Sequence, residues 1–174
     1  MPGVAPMRRA IHHRPRGHWP QDAASGSVTL DFDARHRRRV RLGLDDGGEI
    51  LLDLERAVPM AGGDGLELED GAWIAVRAAP EPLLEISAAD PLLFARLAWH
   101  LGNRHVPTEI GVGVIRIRPD HVLEEMLIRL GALVCSAQMP FQPEGGAYDE
   151  PGKPSHDHHH DHGHAHGGMA LEMH

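Results

Sequence analysis

Histidine is unusually concentrated at one end of this chain. The 174 residues include 15 histidines, and seven of them fall within the eleven-residue segment His156–His166. Neutral imidazole is a good ligand for Ni²⁺, Zn²⁺ and Cu²⁺, so this segment predicts metal binding. A flexible tract imposes no coordination geometry, and the general affinity order favours Cu²⁺ over Ni²⁺, so the metal is left open. The predicted tail ligands are His156, His158, His159, His160, His162, His164 and His166.

Two further histidines stand beside predicted helix ends. His105 follows a predicted helix in the segment Leu101–Pro107, and on composition alone it is an ordinary surface-loop residue. One imidazole cannot hold a divalent cation tightly, but two copies brought together by a two-fold axis could form half of a site. His121 opens a second predicted helix after Asp120, where the helix dipole disfavours the imidazolium and keeps the ring available as a ligand.

The other histidines and the one cysteine carry no predicted chemistry. His100 lies within the first predicted helix, where it is expected to pack or to face solvent. The apolar run around Cys135 predicts a buried small hydrophobe rather than a ligand. Four histidines among the N-terminal arginines are expected to be solvated, namely His12, His13, His18 and His36.

The sequence excludes the common classes of enzyme and membrane protein. It contains no His-Glu-x-x-His, no Gly-x-Ser-x-Gly, no paired cysteines and no phosphate-binding loop, so we expect no catalytic residues. Aromatic residues make up only 4% of the chain, which disfavours a nucleic-acid partner although nine of the 17 basic residues precede Leu42. No apolar stretch is long enough to span a membrane and no signal segment is visible, so a cytoplasmic protein is expected, starting at Met1 or Met7.

Short strands are predicted throughout the first half of the chain. Alternation of apolar and polar residues, interrupted by glycine-rich turns, is typical of strands, and no helical periodicity precedes Pro80. The predicted strands include Val28–Phe32, Arg39–Leu42, Glu49–Leu54 and Trp73–Arg77. This pattern predicts a small antiparallel β domain over residues 1–79, followed by a proline-stiffened link.

The second half mixes strands with two helices. Asp90 and Asp120 are good N-caps for helices that end near Gly102 and Gly131, respectively. Strands are predicted before, between and after the helices, at Leu83–Ser87, Pro107–Ile110, Val114–Ile117 and Leu133–Met139. The order βαββαβ predicts a ferredoxin-like domain over residues 80–142, which makes the fold class α+β. Residues 143–174 contain too few apolar side chains to fold, and a flexible tail is expected.

Three segments connect the chain to a known family. They are Leu101-Gly-Asn-Arg-His-Val-Pro, Asp120-His-Val-Leu-Glu-Glu-Met-Leu and Pro140-Phe-Gln-Pro-Glu-Gly-Gly-Ala-Tyr. Together with the histidine-rich terminus and the two-part layout, these segments resemble the urease accessory protein E family from about Met7 onward. The resemblance implies a homodimeric metallochaperone that carries Ni²⁺ for assembly of the urease active site. Imidazole chemistry adds Zn²⁺ and Cu²⁺ as other metals expected to bind.

The resemblance also implies roles for individual parts of the chain. His105 matches the family's dimer-interface histidine, two copies of which share one Ni²⁺, and a tail histidine such as His156 or His158 would complete that site. His121 matches a peripheral ligand, although this chain has Pro119 where some members have another histidine. The implied partners are the urease accessory GTPase and the urease pre-activation complex, and the first domain is similar to the family's peptide-binding β domain. A histidine-rich nickel or zinc storage protein remains the alternative.

Overall fold

The fold combines two β-sheets with two α-helices. The computed structural model describes residues 7–145, in which ten strands and both helices are found. The mixed α+β class is therefore confirmed. Within this range neither helix has the length and apolar character needed to cross a membrane. All seven predicted tail ligands lie outside the described residues.

The first sheet is built from the N-terminal half of the chain. Its strands are β1 (Arg8–Arg14), β2 (Ala24–Leu30), β3 (Arg39–Gly43), β4 (Glu49–Asp53), β5 (Gly65–Leu68) and β6 (Trp73–Ala78). They lie side by side in the order β2-β6-β5-β1-β4-β3. Inward-facing residues such as Ile50, Leu52 and Ile74 are fully buried in one apolar cluster, and their removal from water stabilises the sheet.

The prediction of an antiparallel first domain is wrong for two strand pairs. β1 runs parallel to β4, with Arg8 opposite Ile50, and β2 runs parallel to β6, with Val28 opposite Val76. Both pairs join strands that are distant in the sequence, so a tight turn does not set their direction. The alternation of apolar residues specifies which face is buried, but it specifies neither the partner strand nor its direction.

The second sheet carries both helices on one face. Its elements are β7 (Pro80–Ser87), α1 (Pro91–Gly102), β8 (Glu109–Gly111), β9 (Val114–Ile117), α2 (His121–Arg129) and β10 (Leu133–Pro140). The strand order is β10-β7-β9-β8, and all neighbours are antiparallel. Leu97 of α1 and Leu127 of α2 are fully buried in the same cluster as Ile86 and Ile115 of the sheet.

Cys135 is exposed, so the prediction that it is buried is wrong. It lies on β10, an edge strand of the second sheet, and is paired with Glu85 of β7. Successive residues of a strand point to opposite faces, so Cys135 and Glu85 lie on the face opposite the one that Ile86 presents to the helices. The apolar residues around Cys135 in the sequence therefore do not bury it.

A buried carboxylate ties β1 to the loop before β5. Asp64 is 4% exposed, and its Oδ2 atom lies 2.7 Å from Nε2 of His13. The backbone N–H groups of Arg16 and Ala61 also donate to Asp64, at 2.9 and 2.8 Å. The prediction that His13 is solvated is therefore wrong. Burial opposes the negative charge, but the hydrogen bonds outweigh it and hold the pKa of Asp64 below its ordinary value.

Replacement of Asp64 by asparagine is expected to destabilise the fold at pH 7 by about 1 to 3 kcal/mol, since the amide NH₂ would face a donor. The pKa of Asp64 is lower in the folded chain than in the unfolded chain, where it is about 3.9. The ionised carboxylate therefore stabilises the fold above about pH 3.9, and this contribution is lost as the pH falls through the pKa of the folded state. The difference between wild type and Asp64→Asn should therefore shrink below about pH 4. Urea unfolding at pH 7 and pH 3 measures this difference in the free energy of unfolding. The control is Asp22→Asn, because Asp22 is exposed. A difference in the free energy of unfolding that is the same at both pH values would contradict the role of the ionised Asp64 carboxylate.

Candidate metal-binding site

Helix α1 positions the first candidate ligand. Asp90 caps its N-terminus by accepting hydrogen bonds from the N–H groups of Leu92 and Leu93, at 3.1 and 3.2 Å. Pro91 begins the helix, because its fixed φ suits the first turn and its missing N–H would have no partner there. The helix ends at Gly102, three residues before His105, so local sequence signals determine where the histidine-bearing turn starts.

His105 lies in the connection between α1 and β8, residues 103–108, which we call the His105 turn. Its φ is +54°, and no other non-glycine residue between 7 and 145 has a positive φ. The N–H of His105 donates to the carbonyl of Gly102 at 3.0 Å, and the N–H of Val106 donates to that of Leu101 at 3.2 Å. A left-handed non-glycine residue costs about 1 to 2 kcal/mol. These bonds therefore hold a strained turn with an exposed imidazole, a combination that is common at functional sites.

The surroundings of His105 contain no complete metal site. In the described part of the chain, no group of three or more His, Cys, Asp or Glu side chains is placed to hold a metal ion. His100 was expected either to pack or to face solvent; it is partly buried, and its ring packs edge-on to Trp99 with 5.0 Å between centroids. Metal binding at His105 would therefore require ligands from a second copy or from residues outside the described range.

His121 is exposed at the first turn of α2 and is not brought into a cluster with other candidate ligands among residues 7–145. Asp120 caps this helix by accepting from the N–H groups of Val122 and Leu123, at 2.9 and 3.0 Å. The cap leaves the imidazole of His121 free of that role.

An apolar stripe on α1 leads toward the His105 turn. Leu92 and Trp99 lie seven residues apart, which places them on the same side of a helix. Their exposed fractions are 58% and 64%, although both are large apolar side chains. Exposed apolar groups of this size are typical of a surface that meets another protein, and the exposed Arg96 and Asn103 lie on the same side of the helix.

A polar network that joins β7, β8 and β9 to the segment after β10 was not predicted from the sequence. Arg116 of β9 donates to Glu85 and to Glu109, in both cases at 2.8 Å, and the backbone N–H of Gln142 donates to Glu109 at 2.7 Å. Gln142 belongs to the Pro140–Tyr148 segment that carries part of the family resemblance. That segment was the one signal in the sequence that could have pointed to the network.

Comparisons with known proteins agree on one family. A family model described as "UreE urease accessory protein, N-terminal domain" matches residues 6–79, and one described as "UreE urease accessory protein, C-terminal domain" matches residues 81–167. Urease accessory protein UreE of Rhodopseudomonas palustris (strain BisB18) is 53% identical over 87% of this chain and 72% of its own length. The proteins of the same name from Bradyrhizobium sp. (strain ORS 278) and Pseudomonas putida (strain GB-1) are 55% and 53% identical, over 87% and 72% of this chain and 70% and 77% of their own lengths.

Proposed function

This chain belongs to the UreE family of urease accessory proteins, and on that premise we propose that it is a homodimeric carrier of Ni²⁺ for assembly of the urease active site. The observation that carries the proposal is the exposed His105, held in a strained turn at the end of an apolar helix stripe. In the proposed mechanism two His105 imidazoles, one from each protomer, share one Ni²⁺. A site with few permanent ligands suits a carrier, because the ion has to leave during handover.

The α1 stripe supports the homodimer. A two-fold axis places identical surfaces against each other, so burial of Leu92 and Trp99 would bring the two copies of α1 together. His105 follows α1 by three residues, and the same axis would therefore bring the two His105 turns toward each other. The dimer would remove exposed apolar surface from water, and it would supply the second imidazole.

Trp99→Glu is expected to shift the protein toward monomer, because a carboxylate would have to be desolvated in the proposed interface. We expect the dimer dissociation constant to rise by at least about 100-fold, as for loss of a central aromatic anchor. Sedimentation equilibrium of the full chain over a range of concentrations measures this change. The control is Val112→Glu, at the β8–β9 turn, where the side chain is 105% exposed and lies outside the stripe. Equal dissociation constants for the two variants would contradict the proposed interface.

The histidine-rich tail is proposed to complete the nickel site. The N–H of Glu144 donates to the carbonyl of Thr108 at 2.8 Å, and Thr108 is three residues after His105. His156 is twelve positions after Glu144 in the sequence, and that length of chain spans about 40 Å when extended. His156 or His158 would thus be able to reach the His105 turn, and tethering would keep their effective concentration near the millimolar range. The remaining tail ligands, His159, His160, His162, His164 and His166, would bind further ions.

His121 is proposed as a weaker, peripheral ligand. It is exposed at the first turn of α2, and its side chain does not cap the helix, because Asp120 has that role. Pro119 stands where a second imidazole would be needed two residues earlier, and a single imidazole binds a divalent ion weakly. Zn²⁺ and Cu²⁺ would compete with Ni²⁺ at all of these positions, since imidazole suits each of them.

Further features of the proposal follow from family membership. Residues 1–79 would form a partner-binding domain. Residues 80–142, which include α1 and α2, would form a ferredoxin-like domain, and residues 143–174 would be the tail. The protein would act in the cytoplasm without catalysing a reaction. It would hand Ni²⁺ to the urease accessory GTPase within the urease pre-activation complex.

Urease activation under limiting nickel tests the proposed function. In cells that lack their own copy of the protein, His105→Ala is expected to abolish most of the activation that the wild-type chain restores, whereas deletion of residues 156–174 should reduce it less. The tail also supports a second function, nickel or zinc storage, which predicts the reverse order. Activation that is lost only with the tail would favour storage and would contradict delivery through His105.

A further inference from the structure

The segment Phe141–Glu144, which follows β10, contacts the end of the His105 turn through its backbone. The N–H of Gln142 donates to Oε2 of Glu109 at 2.7 Å, and the N–H of Glu144 donates to the carbonyl of Thr108 at 2.8 Å. These donors are two residues apart, as on one side of an extended strand. We call residues 141–144 the brace segment, because it holds the chain immediately after the His105 turn.

The His105 turn is thereby held at both of its ends. On one side, hydrogen bonds to the carbonyls of Leu101 and Gly102 join it to the last turn of α1. On the other side, Thr108 donates its hydroxyl to the carbonyl of Val106 at 2.7 Å and accepts from the brace segment through its own carbonyl. A strained turn keeps its conformation only where the surrounding structure determines it, so both attachments bear on where the imidazole of His105 lies.

The brace segment is itself fixed to the first sheet and its loops. The side chain of Phe141 is 0% exposed and packs against Phe32, with 5.4 Å between ring centroids. The buried guanidinium of Arg35 donates to the carbonyl of Phe141. The N–H of Gly62 donates to Oε1 of Gln142 at 2.9 Å. The brace segment therefore provides a stable position against which the His105 turn can be held.

Glu109 joins the brace segment to the second sheet through one carboxylate. Its Oε1 atom accepts from Nη1 of Arg116, and its Oε2 atom accepts from the N–H of Gln142. Both neighbours are donors, so the position requires a group with two acceptor oxygens, which a carboxylate has and an amide does not. The side chains of Glu109 and Arg116 are each only 20% exposed, so the charge-assisted bond between them is largely shielded from water.

We propose that Glu109 is a positioning residue for the metal-binding imidazole of His105. It does not touch the metal ion. It fixes the brace segment against β8 and β9, and the brace segment in turn sets the path of the chain that leaves the His105 turn. This inference rests on the proposed function, because it assumes that His105 binds Ni²⁺.

The isosteric substitution Glu109→Gln is expected to lower the Ni²⁺ affinity of the His105 site about tenfold, as for loss of an outer-shell partner. In either orientation of the amide, its NH₂ group would meet a donor, either the guanidinium of Arg116 or the N–H of Gln142, so one of the two bonds is lost. Isothermal titration of the full chain measures affinity, and X-ray absorption counts imidazoles around the ion. The matched control is Glu85→Gln, which removes the other carboxylate on Arg116 but makes no hydrogen bond to the brace segment in the described structure.

A double-mutant cycle separates this inference from the proposed function. If Glu109 acts through His105, adding Glu109→Gln to His105→Ala should cause no further loss of affinity. An equal loss from Glu109→Gln and Glu85→Gln, or full additivity with His105→Ala, would overturn the positioning role while leaving the proposed function intact. An unchanged affinity in His105→Ala would instead overturn the proposed function. Circular dichroism checks folding, and Glu109→Asp replaces Glu109→Gln if that variant does not fold.

Discussion

Replacement of His105 by alanine is expected to weaken the tightest Ni²⁺ site of the full chain by at least about 100-fold. In the proposed dimer one substitution removes two ligands, because each protomer supplies one copy. Removal of a mere outer-shell partner typically costs 10- to 100-fold in affinity, so loss of two ligands should cost no less. Isothermal titration at pH 8, where imidazole is neutral, measures the affinity, and X-ray absorption should show two fewer imidazoles around the ion.

The matched control for this experiment is His36→Ala. His36 is also an exposed histidine, but it lies in the first half of the chain and is not a proposed ligand. We therefore expect Ni²⁺ affinity to stay close to the wild-type value. The tail histidines remain in both variants and contribute the same weaker binding. If His36→Ala lost as much affinity as His105→Ala, or if neither lost any, a site shared between two copies of His105 would be excluded.

Gly65→Ala is expected to destabilise the fold by about 3 kcal/mol, near the upper end for overpacking a core. A Cβ atom at Gly65 would lie 2.4 Å from Cδ2 of Trp19, and two further atoms of the same ring would be within 2.7 Å. The ring has little freedom to move away. Its Nε1 donates to the carbonyl of Gly63 at 3.0 Å, and the ring stacks on that of Trp73 at a centroid distance of 5.6 Å.

Gly43→Ala is the control for this prediction. Gly43 is also a strand glycine without a positive φ, but a Cβ atom there would meet nothing within 4 Å. Because alanine loses less chain entropy than glycine on folding, we expect a change of zero to about 1 kcal/mol in favour of the folded state. Urea unfolding followed by tryptophan fluorescence measures both variants. A loss in Gly65→Ala no larger than in Gly43→Ala would show that the Trp19 ring is not held against Gly65.

The helices could be predicted because their signals are local. Asp90 and Asp120 each lie immediately before a run of apolar residues at helical spacing, and in the structure each side chain accepts two N–H groups of the first turn. A cap bond spans two or three residues, so the sequence of one short segment is sufficient to recognise it. The same locality explains why the end of α1, and with it the position of His105 just after a helix, was correct.

The pairings of β1 and β2 and the contacts of His13 could not be predicted, because their partners are far away in the chain. β1 pairs in parallel with β4, and His13 meets Asp64 across 51 residues. A residue pattern shows whether a segment is suited to a strand, but partner choice depends on how all strands pack together. Cys135 was misplaced for the same reason, since only the order of strands reveals that β10 is an edge.

The candidate ligands could be found from residue type alone, since imidazole chemistry and the clustering of histidines are visible in the sequence. The family could also be recognised there, and the comparisons confirm it. The left-handed φ of His105 and the carboxylate of Glu109 between Arg116 and Gln142 were decided only by tertiary structure. The physical reason is that coordination chemistry belongs to a side chain, whereas its position depends on backbone hydrogen bonds between segments brought together by folding.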